Sequence, residues 1–381
     1  MKEERFKIEG EVWFGGAKNF KRDISVQERK EREAKEKFID KIKEVFKESF
    51  CEKLLNQQKN EEKFVCWSNL ILILNKYVPI VYARVSNKKN QGEDSIWLNY
   101  AVGEESKKVF LDVLIETFNN SFYFKQSLES LKKRIEVKIQ ILENQHYEKI
   151  PVQPLKTQSC LIIGLGSQHV LETSITLHHI FGVPYIPGSA LKGVCRAVVF
   201  WKLAEDKRIQ NNQNELEEFQ KKFYGELAKD DEEILKYQIL FGAQNFKGLL
   251  LFLDAYPYPT ENNSQIFDLD VMNVHYPSYY EGSGTPGDWE NPRPIFFLVV
   301  KEGVEFQFNV LFDKFRAEEI LKMTDEELKK NGLPEKIKEL TSNLLNSNLK
   351  NEMEYILKQA ISEFGVGSKT RLGYGLFQEI Q

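Results

Sequence analysis

Beyond residue 150 the hydrophobic pattern changes period again and again, and the order of those changes is the tightest constraint on what this chain can fold into. SCLIIGLG is a short apolar run ending in glycines, which predicts a strand, and TSITLHHIFGVPYIP alternates β-branched and aromatic residues, which predicts a hairpin. SALKGVCRAVVFWKLA then moves to helical spacing. KGLLLFLDAYP predicts a buried strand, and a long loop rich in Gly, Pro and Tyr follows it. PIFFLVVKEGVEFQFNVLF predicts a second hairpin, turning at Glu302 and Gly303, with Phe306, Phe308 and Val310 on one face. NEMEYILKQAISEFGVGSKTRLGYGLFQEI closes the chain as helix, glycine loop and strand. Strand, hairpin, helix, strand, hairpin, helix, strand is the order of a split β-α-β, ferredoxin-like (RRM-like) α+β domain with helices on one face of its sheet.

The first 150 residues have a different texture. Between residues 18 and 63 the chain is densely charged with both signs, and Phe38, Ile39, Ile42, Val45, Phe46, Phe50 and Leu54 recur at helical spacing, which predicts an amphipathic helix. LILILNKYVPIVYARV, interrupted by Pro79, is compatible with strand or helix. From Ser106 to His146 the apolar residues again lie three or four apart. The two prolines of IPVQPLKTQ bias the backbone away from helix. We therefore expect a mainly helical region over 1–150 and the ferredoxin-like domain over 151–381.

Lys and Arg total 53 against 57 Asp and Glu, a formal net charge of −4. That balance argues against indiscriminate nucleic-acid binding, so any contact with nucleic acid uses local patches. MKEERFKIEG lacks the pattern of a signal peptide, and no apolar run approaches the ~20 residues of a membrane span, so the expectation is a soluble, cytoplasmic protein without a membrane partner. Cys51, Cys66, Cys160 and Cys195 form no CxxC pair and read as buried free thiols.

Two stretches have the residues for holding an anion. GVGSKTRLGYG, residues 365–375, fails as a P-loop: serine precedes its lysine where glycine is required, and it runs from helix to strand. Its glycines suit a helix end and close packing of the last strand. The same glycines, Gly365 and Gly367 among them, allow close approach of a ligand, while Ser368, Lys369, Thr370 and Arg371 offer donors to phosphate. In IPGSALKGVCR, residues 186–196, Ser189 is the expected N-cap and Lys192 and Arg196 share a helical face. With the helix N-terminus pointing outward, the two stretches together would make an anion groove.

Other candidates are weaker. His178 and His179 are adjacent, so in a strand they face opposite ways and cannot share a metal. Asp268, Asp270 and His275 are compatible with a divalent ion or acid-base chemistry, but equally with a solvated strand edge. We expect no metal and no cofactor. The loop YPSYYEGSGTPGDWENPRP carries aromatics that suit base stacking or subunit docking alike.

LETSITLHHIFGVPYIPGSALKGVCR, LFGAQNFKGLLLFLDAYP, LDVMNVHYPSYY, DWENPRPIFFLVVKEGVEFQF and the terminal GVGSKTRLGYG resemble, in that order, the family of sixth Cmr subunits of type III-B CRISPR effector complexes, within the RAMP superfamily. The resemblance runs from about Leu161 to Phe377, and LILNKYVP is similar to the family's N-terminal signature. It implies a ferredoxin-like domain whose terminal glycine loop faces guide RNA. It also implies a non-catalytic subunit in antiviral defence, placed near the 3′ end of the CRISPR RNA and beside the repeating backbone RAMP subunit and the first Cmr subunit. The RNA-contacting residues it implies are Ser189, Lys192, Arg196, Gly365, Gly367, Ser368, Lys369, Thr370 and Arg371, and no catalytic residues carry over. The aromatic loops would meet neighbouring subunits or target RNA. Two competing readings are a metal-independent endoribonuclease working through His178, His179 or His275, and a scaffold that binds protein only.

Overall fold

A computed structural model of the protein describes residues 8–13, 80–86, 95–99, 104–119, 122–167, 169, 173–260 and 265–380. The amphipathic helix expected over residues 38–54 lies outside them. Along the chain run β1 (Ile8–Trp13), β2 (Ile80–Ser86), β3 (Ser95–Asn99), α1 (Glu104–Asn119), α2 (Phe122–Asn144), β4 (Tyr147–Ile150) and β5 (Leu155–Thr157). Next come α3 (Gly188–Asp206), α4 (Gln213–Tyr224), α5 (Glu232–Phe241), β6 (Leu250–Phe252), β7 (Tyr256–Pro257), β8 (Phe267–Val274) and β9 (Arg293–Val300). The last elements are β10 (Glu305–Gln307), β11 (Val310–Asp313), α6 (Lys314–Lys322), α7 (Asp325–Lys330), α8 (Ile337–Asn346), α9 (Leu349–Gln359) and β12 (Phe377–Glu379). No helix among the described residues is long and apolar enough to cross a membrane.

The chain forms two compact units. The first comprises residues 1–124, 165–182 and 267–299. Its strands β1, β2 and β3 form an antiparallel sheet in that order, so the ambiguous run around Pro79 resolves as a strand after the proline. Helix α1 packs on β8, which pairs with β9. Asn119 fixes that contact: its Nδ2 donates to the Phe267 carbonyl at 2.9 Å, and its Oδ1 accepts the Phe267 N–H at 3.0 Å. Phe124 sits between Phe118 and Phe267, with ring centroids 6.1 and 5.5 Å away.

The hairpin expected in TSITLHHIFGVPYIP does not form. His178 to Gly182 is a turn closed by the Gly182 N–H on the His178 carbonyl at 2.7 Å. The ring nitrogen of His178 accepts the N–H of Ile180 at 3.2 Å, a local alternative to a strand ladder. The two histidines are therefore stacked, with centroids 5.0 Å apart and planes at 13°, instead of facing opposite ways.

The second unit comprises residues 125–164, 183–266 and 300–381. One sheet has the order β12-β5-β10-β7 and another the order β4-β11-β6, all neighbours antiparallel. On α2, Ile135, Ile139 and Leu142 pack around Leu251, Leu253 and Leu311. The alternation of aromatic residues is realised where Phe306 and Phe308 both meet Phe377 edge-on, at 5.6 and 5.4 Å. All three rings are fully buried, and each contributes on the order of 2–3 kcal/mol of transfer free energy.

Two strand expectations fail here for one reason: the backbone groups are used elsewhere. SCLIIGLG makes only a bridge, Leu161 with Val300, because the Cys160 and Ile162 carbonyls accept N–H groups of Gly375 and Ser368. The turn at Glu302 and Gly303 exists, yet it closes no hairpin. Its N–H and carbonyl groups wrap around Thr157, whose Oγ1 donates to the Lys301 carbonyl at 2.8 Å and accepts the Val304 N–H at 2.9 Å. Strand β9 pairs with β8 instead, and β10 pairs with β5 and β7.

Candidate functional site

Helix α9 ends in a single π turn, Ala360–Phe364, and then enters the glycine loop. The loop is fastened at both ends by short backbone bonds. Ser368 donates to the Ile162 carbonyl at 2.7 Å, Gly375 donates to the Cys160 carbonyl at 2.9 Å, and Val366 donates to the Gly375 carbonyl at 3.0 Å. Two glycines make these approaches possible. A Cβ on Gly367 would lie 2.4 Å from the Ile162 carbonyl oxygen, and one on Gly375 would lie 2.0 Å from that of Val366. Both also have positive φ, as do Gly365 and Gly373.

Between these fastenings lies the tip. Lys369 adopts the left-handed conformation (φ 59°, ψ 28°) and opens a 3₁₀ turn over Thr370–Leu372, with its Nζ 5.7 Å from the centre of the Tyr374 ring. Leu372 and Gly373 close the turn on the carbonyls of Lys369 and Thr370, both at 2.9 Å. Arg371 and Leu372 are exposed.

Helix α3 is built differently. It begins at Gly188, one residue before the expected N-cap, because Gly188 lies against the Phe252 carbonyl, 2.2 Å from where a Cβ would sit. Ser189 is thus an exposed residue in the first turn and caps nothing. The capping oxygen comes from across the unit: Asp254 Oδ1 accepts the Gly188 N–H at 2.8 Å. The helix N-terminus therefore already faces a carboxylate.

Lys192 and Arg196 do share a face, and that face is half-buried. Lys192 Nζ donates to the Leu250 carbonyl at 3.2 Å, and Arg196 Nη2 donates to the Phe223 carbonyl at 2.9 Å. The guanidinium also stacks on Tyr224 at 4.5 Å and Phe223 at 5.4 Å, leaving a buried Nε with no acceptor. Burial pulls the Lys192 pKa below its ordinary value, and the like charges of Arg196 and Lys247 pull it further down. Burial also lowers that of Arg196, with Tyr224 opposing. Among the described residues no carboxylate contributes to either shift. The arrangement is a patch of positive charge in want of an anion.

The two stretches expected to form an anion groove are of different make: a loop tied to residues 160–162, and a helix face directed at β6 and the end of α4. Sequence reasoning missed two contributors. Lys247 follows an aromatic in an ordinary surface turn and gives no motif, whereas Asp254 is marked by its place in an otherwise apolar run, LLLFLDAYP.

Of the remaining candidates, the two aspartates are engaged locally. Asp268 and Asp270 accept the N–H of their following residues at 2.8 and 2.7 Å. Among the described residues no cluster of three His, Cys, Asp or Glu side chains is placed to bind an ion. His275, Tyr276 and Tyr280 line an open cleft of about 630 Å³ with Asn273 and Val274. Beyond it the aromatic loop is held by Tyr276 on Asp288 (3.2 Å) and by the Ser278 N–H on Glu290 (3.0 Å), with Tyr280 and Trp289 largely exposed.

The model of the RAMP superfamily matches residues 154–378, which include β5, α3, α9, the glycine loop and part of β12. The chain belongs to the RAMP superfamily. Within it, this RAMP protein is homologous to the CRISPR system Cmr subunit Cmr6 of Pyrococcus furiosus, with 31% identity over 361 residues, covering 82% of this chain and 94% of that one. The Cmr6 subunit of Saccharolobus solfataricus is 25% identical over 244 residues, covering 60% of this chain and 72% of that protein. Among solved structures, the crystal structure of Cmr6 from Pyrococcus furiosus is 33% identical and covers 62% of this chain and 98% of its own, with a TM-score of 0.34. A chain of the type III-B Cmr-beta complex bound to cognate target RNA covers 90% of this RAMP protein and 89% of its own length at 18% identity, with a TM-score of 0.45.

Proposed function

We propose that this RAMP protein is a non-catalytic subunit of a type III-B CRISPR effector complex in the cytoplasm, holding guide RNA near its 3′ end and contacting the backbone RAMP subunit and the first Cmr subunit. The observation that carries this reading is the half-buried pair Lys192 and Arg196 with the exposed Lys247 acting on Lys192, and, among the described residues, no carboxylate shifting either Lys192 or Arg196. RNA phosphate is the anion that fits it, and Ser189, exposed one turn earlier, borders it. The glycine loop supplies the second contact: Gly365 and Gly367 keep the backbone close-packed, and Ser368, Lys369, Thr370 and the exposed Arg371 offer the donors to phosphate. Homology to Cmr6 supports the complex, and the exposed aromatics of the 276–294 loop suit a neighbouring subunit or target RNA.

We read the second unit as the ferredoxin-like domain. The order β12-β5-β10-β7, with α3 between β5 and β7 and α9 between β10 and β12, supports this, being the arrangement of a split β-α-β sheet. The family match over residues 154–378 supports a RAMP domain that begins near residue 151. For the non-catalytic role, the support is that His178 and both aspartates are engaged by backbone N–H groups.

Crosslinking within the co-expressed complex, with adducts mapped by mass spectrometry, tests the reading. We expect adducts at Lys369, Arg371 and the 189–196 helix. Adducts confined to other subunits would overturn it in favour of a protein-binding scaffold. Repeat RNA incubated with the purified protein in chelator should stay intact; specific cleavage lost on substitution of His178, His179 or His275 would establish the nuclease instead.

A further inference from the structure

The start of α3 is built to refuse an anion. An unoccupied N-terminus of a long helix attracts phosphate, because its first N–H groups lack acceptors and the helix dipole is positive there. Here the N-terminus lies one turn from Lys192, close to the cationic face. Yet Asp254 Oδ1 takes the Gly188 N–H at 2.8 Å and places a negative charge on that spot.

The carboxylate is held firmly. Ile186 and Ala255 exchange both backbone hydrogen bonds at 2.9 Å on either side of it, so the residue before the helix and the residue after Asp254 are locked in register. Tyr256 Oη reaches the other carboxylate oxygen at 3.5 Å, and the Tyr256 ring stacks on Tyr185 with centroids 5.6 Å apart. Gly188 has no room for a side chain against Phe252, which fixes how closely the helix start approaches β6. The opposite end of the same strand supplies the Leu250 carbonyl that Lys192 holds.

We infer that Asp254 is a positioning and selectivity residue: it fixes the start of α3 and closes that start to phosphate, so that RNA phosphate meets only the face carrying Lys192, Arg196 and Lys247. A neutral cap such as serine would hold the helix equally well. The charge is therefore the informative part. This inference rests on the RNA reading for its purpose, but not for its test.

The test uses inorganic phosphate, with no RNA present, and the full chain labelled with ¹⁵N-serine. In the wild type the Ser189 amide should not respond to phosphate. In Asp254→Asn, where the amide oxygen still accepts the Gly188 N–H, the Ser189 amide should shift in a saturable way, and Asp254→Ser should do the same if the asparagine variant folds poorly. Equal behaviour of wild type and both neutral variants would overturn the inference. In the assembled complex the same variants should hold guide RNA more tightly at low salt, with the salt dependence steepening by about 0.7 for one added phosphate contact. Loss of RNA binding on Lys192→Met with Lys247→Met, or its persistence, reports on the RNA reading alone.

Discussion

The glycine loop and helix α3 look alike in sequence, each a Gly, Ser and Lys/Arg cluster suited to an anion, but the protein builds them from opposite materials. In the loop the backbone does the structural work. Its N–H groups are tied to residues 160–162, no Cβ fits at Gly367 or Gly375, and of its cations Arg371 is exposed while Lys369 lies over the Tyr374 ring. In α3 the cations themselves are structural, with head groups bound to the Leu250 and Phe223 carbonyls and one of them stacked on aromatics. The same residue types thus separate stability from binding in one place and fuse them in the other.

Four experiments would break or sharpen that contrast. The largest effect is expected from Gly375→Ala, where the new Cβ would collide with the Val366 carbonyl at positive φ; the loss should be on the order of 3 kcal/mol by thermal or denaturant unfolding. Gly373→Ala, with φ 86° and open space around it, should cost only about 1 kcal/mol. Equal costs would mean that the close approach of Gly375 to the Val366 carbonyl does not matter.

Next, Arg196→Ala should destabilise the protein by roughly 2 kcal/mol, since it removes the Phe223 hydrogen bond and the stack on Tyr224. A variant with unchanged stability would make Arg196 a ligand group like those of the loop. Lys369→Ala combined with Arg371→Ala should leave stability within about 0.5 kcal/mol. It should nonetheless weaken guide-RNA retention roughly ten-fold at low salt, with a shallower salt slope. Unfolding of that double variant would erase the contrast.

The smallest effect is in pH. The pKa of Lys192 is lower folded than unfolded, so over the window between them the unfolded state binds the extra proton and stability rises with pH. Below that window the charged form is penalised in the folded state. Lys192→Met removes this term, so the stability of the wild type relative to the variant should improve as pH rises toward 10.5, the ordinary lysine value. A difference independent of pH would show that Lys192 is not strained by its neighbours.

Helices were the legible part of this chain. The spacing over Ser106–His146 and in SALKGVCRAVVFWKLA corresponds to α1, α2 and α3, because an apolar stripe every three or four residues is a local property of one segment. The helix, glycine loop and closing strand at the C-terminus were legible for the same reason. Strand partners were not. SCLIIGLG and PIFFLVVKEGVEFQF have the composition of strands, but whether their N–H and carbonyl groups join a ladder depends on which distant segment reaches them first. The glycine loop reached Cys160 and Ile162, and Thr157 occupied the turn at Gly303.

By itself, then, the sequence determined the family, the order of elements, and the residue types that a phosphate site needs. Tertiary structure decided what those residues do: that Ser189 caps nothing, that Asp254 takes its place from across the fold, and that Lys192 and Arg196 are half-buried, with Lys247 acting on Lys192. The physical reason is range. Helix periodicity and glycine conformation are set within a few residues, whereas capping from a distant strand, desolvation and like-charge repulsion exist only once remote parts of the chain are packed together.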